Sequence, residues 1–194
     1  KDDAPDGREH LREKEDFLRL AWSESGHSIP LNFFYLYVSQ AEFILGNYES
    51  SYRLILRAES MIGLNMGMTS ISECYHYQSL CITARYHGSS LQEKDELMAV
   101  LSRNREILKS LSETCPESFM HKYLQVEAET ARVTGRDIEA MDLYDRAIDA
   151  ARMNGFTQDE AVSCELTGKF WLGRGKNEFA GIYFVKAYEA YRKW

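Results

Sequence analysis

Three glutamates, Glu127, Glu129 and Glu165, are the residues best suited to acid–base chemistry, and Cys74, His76, Cys81 and His87 are those best suited to hold a metal. Paired carboxylates can share proton donation and acceptance when their surroundings push their proton affinities apart. Helical spacing gives these three a plainer role. Gln125, Glu129 and Arg132 share one helix face, and Glu165 stands four residues before Lys169, the favourable order for an ion pair along a helix. Cys74, Cys81, Cys115 and Cys164 show no CxxC spacing and lie in or beside amphipathic segments, which suits reduced thiols that behave as small apolar residues. No glycine-rich phosphate loop, HExxH or GxSxG occurs. The expectation is a chain that is not itself an enzyme and that calls for no cofactor and no metal.

The elements that carry these residues read as helices throughout. Only three prolines occur among 194 residues, at Pro5, Pro30 and Pro116, each where a helix can begin. Ser70 with Glu73, Ser90 with Glu93, and Thr157 with Glu160 have capping-box spacing. The periodicity predicts helices over residues 8–22, 30–45, 48–62, 70–87, 90–113, 117–134, 137–153, 157–174 and 177–193, and no strand. A net charge of −7 repels a phosphate backbone, so nucleic acid is not an expected partner. No apolar run reaches the roughly 18 residues that span a bilayer, and "KDDAPDGREH" lacks the apolar centre of a signal peptide, so the chain reads as cytoplasmic with no membrane partner.

A ruler repeats along the chain. Gly135 is followed by Ala140, Tyr144 and Ala147, and Gly175, 40 residues later, by Ala180, Phe184 and Ala187 at the same offsets. Gly46 with Ser51, Ile55 and Ala58 is a weaker copy. Gly88 is a fourth anchor whose offsets carry Glu93, Leu97 and Val100, and the longer interval to Gly135 predicts a longer, shifted second helix there. In the helix before each glycine, Ser39, Cys81, Ala128 and Gly168 lie seven positions back. Small residues at these places let two antiparallel helices approach closely, while the aromatic fills the gap between neighbouring pairs.

This pattern resembles the tetratricopeptide repeat, with small residues at its positions 8, 20 and 27 and large ones at 4, 7, 11 and 24. A longer resemblance joins it. Phe119-x-His121-Lys122-Tyr123, Glu127-Ala128-Glu129, Ala140-Met141-x-Leu143-Tyr144-Asp145-x-Ala147-Ile148, Asp159-Glu160-Ala161, Glu165-Leu166 and Tyr191-x-x-Trp194 are similar to the tetratricopeptide-like region of large multidomain signalling kinases. In that family a Ser/Thr-kinase-like domain and a signal-transduction ATPase domain precede the helical region, and GAF and histidine-kinase domains often follow it. The resemblance covers Ser28 to Trp194 and none of the catalytic modules. It implies a fragment of a longer kinase: residues 1–27 as a flanking or capping helix and residues 28–194 as an all-α superhelix of antiparallel helix pairs.

In such a repeat family, positions 2, 5, 9 and 12 of the front helices face the concave surface. Here these are Phe33, Leu36, Gln40, Phe43, Tyr75, Gln78, Ile82, Arg85, Lys122, Gln125, Glu129, Arg132, Glu165, Lys169 and Leu172. Mixed aromatic, amide and charged groups suit a protein or peptide segment, other domains of the same polypeptide included. That reading requires Phe43, Tyr75, Arg85, Lys122 and Arg132 to be at least partly exposed. The alternative function is a small-molecule-sensing domain with a tyrosine-rich groove.

Overall fold

The computed structural model describes residue 16, residues 29–62 and residues 70–194. The expected helix over residues 8–22, and with it the flanking segment 1–27, lies outside the described residues save for Asp16. Among the described residues there are eight helices and no strand. They are α1 Ile29–Ile44, α2 Tyr48–Glu59, α3 Ser70–Arg85, α4 Leu91–Thr114, α5 Pro116–Val133, α6 Asp137–Met153, α7 Thr157–Gly173 and α8 Asn177–Lys193. The chain divides into two compact units, Lys1–Gln78 and Ser79–Trp194. Helix α3 contributes its residues to Gln78 to the first and the remainder to the second.

Four turns are built alike. Gly46, Gly135, Gly155 and Gly175 have φ of 81°, 76°, 78° and 69°, a left-handed backbone that glycine adopts without a Cβ clash. In each, the residue after the glycine donates its N–H to the carbonyl five residues back: Asn47 to Glu42 at 2.8 Å, Arg136 to Ala131 at 2.9 Å, Phe156 to Ala151 at 2.9 Å and Lys176 to Trp171 at 3.0 Å. These are Schellman caps, which satisfy the helix's last carbonyls and reverse the chain within three residues. Three of the glycines are those of the sequence ruler. Gly155, between α6 and α7, shows that the same device also joins one helix pair to the next.

Gly88 departs from the expectation of a fourth such turn. It closes a short 3-10 segment, Tyr86–Gly88, without a left-handed φ. The chain then restarts at Ser90, whose Oγ accepts from Glu93 N–H while the Glu93 carboxylate accepts from Ser90 N–H, a complete capping box. Glu93 is thereby exposed at the helix start and cannot act as a small contact residue, so the ruler breaks here. As expected, the helix that follows is long: α4 runs 24 residues. It ends at Cys115, held extended by the proline that opens α5. The other two expected capping boxes do not form. Thr157 lies inside α7, whose cap is Phe156, and the buried Ser70 Oγ has no hydrogen bond among the described residues.

In the first unit α1 pairs with α2 around Tyr35, Phe43, Ile55 and Ala58. Ser39 and Ser51 join the two helices: each hydroxyl donates to the other residue's carbonyl, at 2.9 and 2.8 Å. In the second unit α5 pairs with α6 at Ala128 and Ala140, and α7 with α8 at Gly168 and Ala180, all buried. A Cβ added at Gly168 would stand 2.6 Å from Phe184 Cε1, so the ring fills the space the glycine leaves.

Candidate functional site

The expected face residues fall six in the first unit and nine in the second. In the first, Phe33 and Tyr75 are half-buried, and the Phe33 ring stacks on Tyr37. Gln40 is buried and donates from Nε2 to Glu73 Oε2 at 3.2 Å. Phe43 is only 3% exposed. Its ring packs 5.2 Å from Tyr48 and edge-on, 5.7 Å, to Tyr77. Gln78 is buried and donates to the Glu59 carboxylate. Leu36 is core as well. The front face of this unit is therefore an interhelical contact for Gln40, Phe43 and Gln78, which corrects the expectation of exposure.

The second unit makes the same correction with charged groups. Lys122 is 2% exposed. Its Nζ donates to both carboxylate oxygens of Asp159, at 3.1 and 2.9 Å. His121 Nε2 lies 3.2 Å from Asp159 Oδ2, and the His121 ring stacks on Phe156 at 4.2 Å. One turn further, buried Gln125 donates from Nε2 to Ser163 Oγ at 2.8 Å. Helices α5 and α7 thus meet along a buried polar seam rather than flanking an open groove. The reason is spacing: the glycine turns bring successive front helices close enough for positions 2 and 5 of one to face the first turns of the next.

Glu129 continues this network toward α6. Its carboxylate takes two hydrogen bonds from Arg132, one of them 3.0 Å from Nε, and one from the Tyr144 hydroxyl. Arg132 also donates from Nη2 to the Thr83 carbonyl at 3.1 Å. Burial pushes the Glu129 carboxyl up, but the Arg132 charge and the hydrogen bonds from Arg132 and Tyr144 together hold it below the ordinary carboxylate value. Burial and the Glu129 charge raise the Tyr144 phenol well above its ordinary value. Burial opposes the Arg132 charge, and the Glu129 carboxylate outweighs it, leaving that guanidinium more firmly protonated. Arg132 is half-buried in this cluster, so it keeps the partial exposure expected of it while engaged with Glu129. Arg85 is half-buried in the last turn of α3, and Ile82 is core.

The remaining carboxylates are engaged too. Glu127 receives both Nε and Nη2 of Arg105, at 2.5 and 2.7 Å. Glu165 lies 2.5 Å from Lys169 Nζ and accepts from the Tyr191 hydroxyl at 2.7 Å, so it joins α7 to α8. Leu172 is exposed at the end of α7. The cysteine–histidine reading meets a different geometry: Cys74, His76 and Cys81 are buried in α3, His87 is exposed in the 3-10 turn, and no group of three metal-ligating residues forms among the described residues.

His121, Asp159 and Ser163 were not singled out by type, yet a positional signal pointed to them. The contacts Lys122–Asp159, Gln125–Ser163, Arg174–Asp137 and Tyr183–Asp145 all join residues 37 or 38 positions apart. That is the repeat interval shortened by the offset between facing turns, so residues one such interval apart are the ones to pair.

Glycine-capped helix pairs with small residues at their crossings, stacked through a seam at the repeat interval, define a tetratricopeptide-type helical repeat. The chain belongs to the family of CHK1-like TPR repeats, whose model it matches over residues 12–180. No curated protein and no solved structure matches it. No helix among the described residues is long and apolar enough to cross a membrane.

Proposed function

We propose that the chain is a non-catalytic interaction module of a larger cytoplasmic signalling kinase, holding a protein or peptide segment and relaying its presence to the rest of the polypeptide. One observation carries this reading. The three glutamates that the sequence offers for chemistry serve as struts between helices, Glu127 with Arg105, Glu129 with Arg132 and Tyr144, and Glu165 with Lys169 and Tyr191, and Asp159 with Lys122 does the same. A catalytic acid needs a free path to substrate, whereas a strut needs partners on both sides. Apolar side chains point outward instead, among them Met141, Leu172, Phe179 and Ile182. Exposed apolar groups on a rigid repeat are what a polypeptide partner buries.

Relay follows from the seams. Each helix pair touches only its neighbours, and a buried ion pair resists small displacements, so a tilt imposed on one pair is passed to the next. A net charge of −7 disfavours nucleic acid as the partner.

The test places a photo-reactive phenylalanine analogue at Leu172 and, separately, at Phe179, in the chain expressed in its own cells. Adducts with a defined polypeptide are expected, and the purified chain should show only background ATP turnover. Absence of any polypeptide adduct at both positions, or turnover that copurifies with the chain, overturns the reading.

A further inference from the structure

Helix α7 is held to the preceding pair along two lines of unlike chemistry. Toward α5 the contact is polar: Lys122 and His121 meet Asp159, and Gln125 meets Ser163. His121 Nδ1, buried on this line, has no hydrogen bond among the described residues. Toward α6 the contact is apolar in its middle and pinned at both ends. The Tyr144 ring packs 5.5 Å from Phe170, and Ile148 is buried with Cys164 and, from α8, Ala187. At one end Arg152 donates from Nε to Glu160 at 2.8 Å, and at the other Arg174, just beyond α7, donates from Nε to Asp137 at 2.8 Å. Helix α8 joins α6 as well, through the Tyr183 hydroxyl, which donates to Asp145 at 2.6 Å. Helices α7 and α8 are tied to each other by the Phe184 ring against Gly168 and by the Tyr191 hydroxyl on Glu165.

Water can replace the partners of the polar line but not those of the apolar one. A buried ion pair gains little over two hydrated charges, because its attraction does little more than offset the lost solvation. Full separation of Lys122 from Asp159, with both hydrated, therefore costs little, and it gives His121 Nδ1 a partner that the closed seam lacks. Partial separation is the costly state, since it weakens the pair before water enters. Prying α7 from α6 instead exposes Tyr144, Ile148 and Phe170, at a cost that grows with the apolar area. We infer that the α5–α7 seam opens and closes as a two-state contact, hinged on the α6–α7 line, with the α7/α8 pair swinging as one body. The closed state is the one in the structure. The open state admits water to Asp159 and Ser163 and presents Lys122 and Gln125 as the face residues that their helix positions make them. This gives the relay of the interaction-module reading its switching element, and it rests on that reading only for its purpose.

Neighbouring positions on α7 read the two lines separately, since Ser163 lies in the seam and Cys164 on the hinge. Cys164 is read in the chain carrying Cys115→Ser, and the seam in that chain with Ser163→Cys and Cys164→Ala. Each is treated with N-ethylmaleimide in native buffer and in rising urea, and mass spectrometry follows labelling at each site. The thiol at position 163 should react about tenfold or more faster than Cys164 and with a shallower urea dependence, because opening the seam exposes less surface than unfolding. Gln125→Cys, across the same seam, should behave alike. Adding Lys122→Met and Asp159→Leu exchanges a pair that water can solvate for an apolar one, and should slow labelling at position 163 by about tenfold or more. Circular dichroism of each variant establishes that it is folded. Equal rates and equal urea slopes at positions 163 and 164 overturn the inference, because the seam then opens only with the whole unit. So does labelling at 163 that ignores the Lys122→Met and Asp159→Leu changes, because the ion pair is then not the element that switches. A fast, shallow response at 163 with no polypeptide adduct at Leu172 or Phe179 would leave the two-state seam standing while the interaction-module reading fell.

Discussion

Lys122 Nζ lies 2.9 and 3.1 Å from the two carboxylate oxygens of Asp159, a residue 37 positions away on the next front helix, and both side chains are buried. Burying the two charges costs solvation that their attraction and hydrogen bonds offset only while both are present. Lys122→Ala should therefore destabilise the fold by about 3 to 5 kcal/mol, because it removes the ammonium that donates to both oxygens of the buried Asp159 carboxylate. The double variant Lys122→Met/Asp159→Leu should be markedly less destabilised than the two single changes added together. Urea denaturation of the four proteins checks the coupling, and additive effects would remove the pair from the seam.

The contact between Gly168 and Phe184 predicts an overpacking effect. Gly168→Ala brings a methyl against the ring, at 2.6 Å before relaxation, and should cost about 1 to 3 kcal/mol despite the better helix propensity of alanine. Phe184→Leu should recover most of that loss. Ala140→Leu and Ala180→Leu, at buried crossings, should also destabilise, whereas Ala150→Leu at a half-buried position should be tolerated. Thermal melting of the set would refute the register if all positions accepted leucine equally.

Acid should attack the Glu129 cluster. Its carboxyl sits below the ordinary value of 4.5 in the folded protein. The cluster's contribution is therefore complete above that value and is lost as pH falls through the lower folded one. Stability measured between pH 5 and roughly pH 2 should decline, and Glu129→Gln should flatten part of that decline. At neutral pH, Arg132→Glu should be strongly destabilising, since it sets a second carboxylate beside a buried one. A fully stable Arg132→Glu protein would contradict the network.

Thiol chemistry should separate the four cysteines, all of which are free. Burial, with the Glu160 charge beside it, pushes the Cys164 thiol up to about 11, and Cys74 and Cys81 are buried as well. Cys115 is half-buried at the α4–α5 junction. Iodoacetamide at pH near 8 should modify Cys115 first and the other three only on unfolding. Mass spectrometry showing Cys164 modified at the rate of Cys115 would argue against the packed α6–α7 contact.

Local rules determined much of this protein. Helix boundaries from α4 to α8 follow from proline placement, glycine turns and apolar period, all of which act within a few residues. Gly46, Gly135 and Gly175 were legible because only glycine takes a left-handed turn without cost, and Ser39, Ala128, Ala140, Gly168 and Ala180 because close helix crossings admit only small side chains. Gly88 misled because a glycine in a 3-10 turn and one in a Schellman cap look alike in sequence. Tertiary structure alone decided what Lys122, Gln125 and Glu129 do. Their positions on the helix indicate a face, but whether that face meets water or a neighbouring helix depends on how closely successive pairs stack. Here Asp159 and Ser163 of the next pair, and Tyr144 of the same pair, replace solvent, and a face that reads as a recognition surface becomes a buried seam.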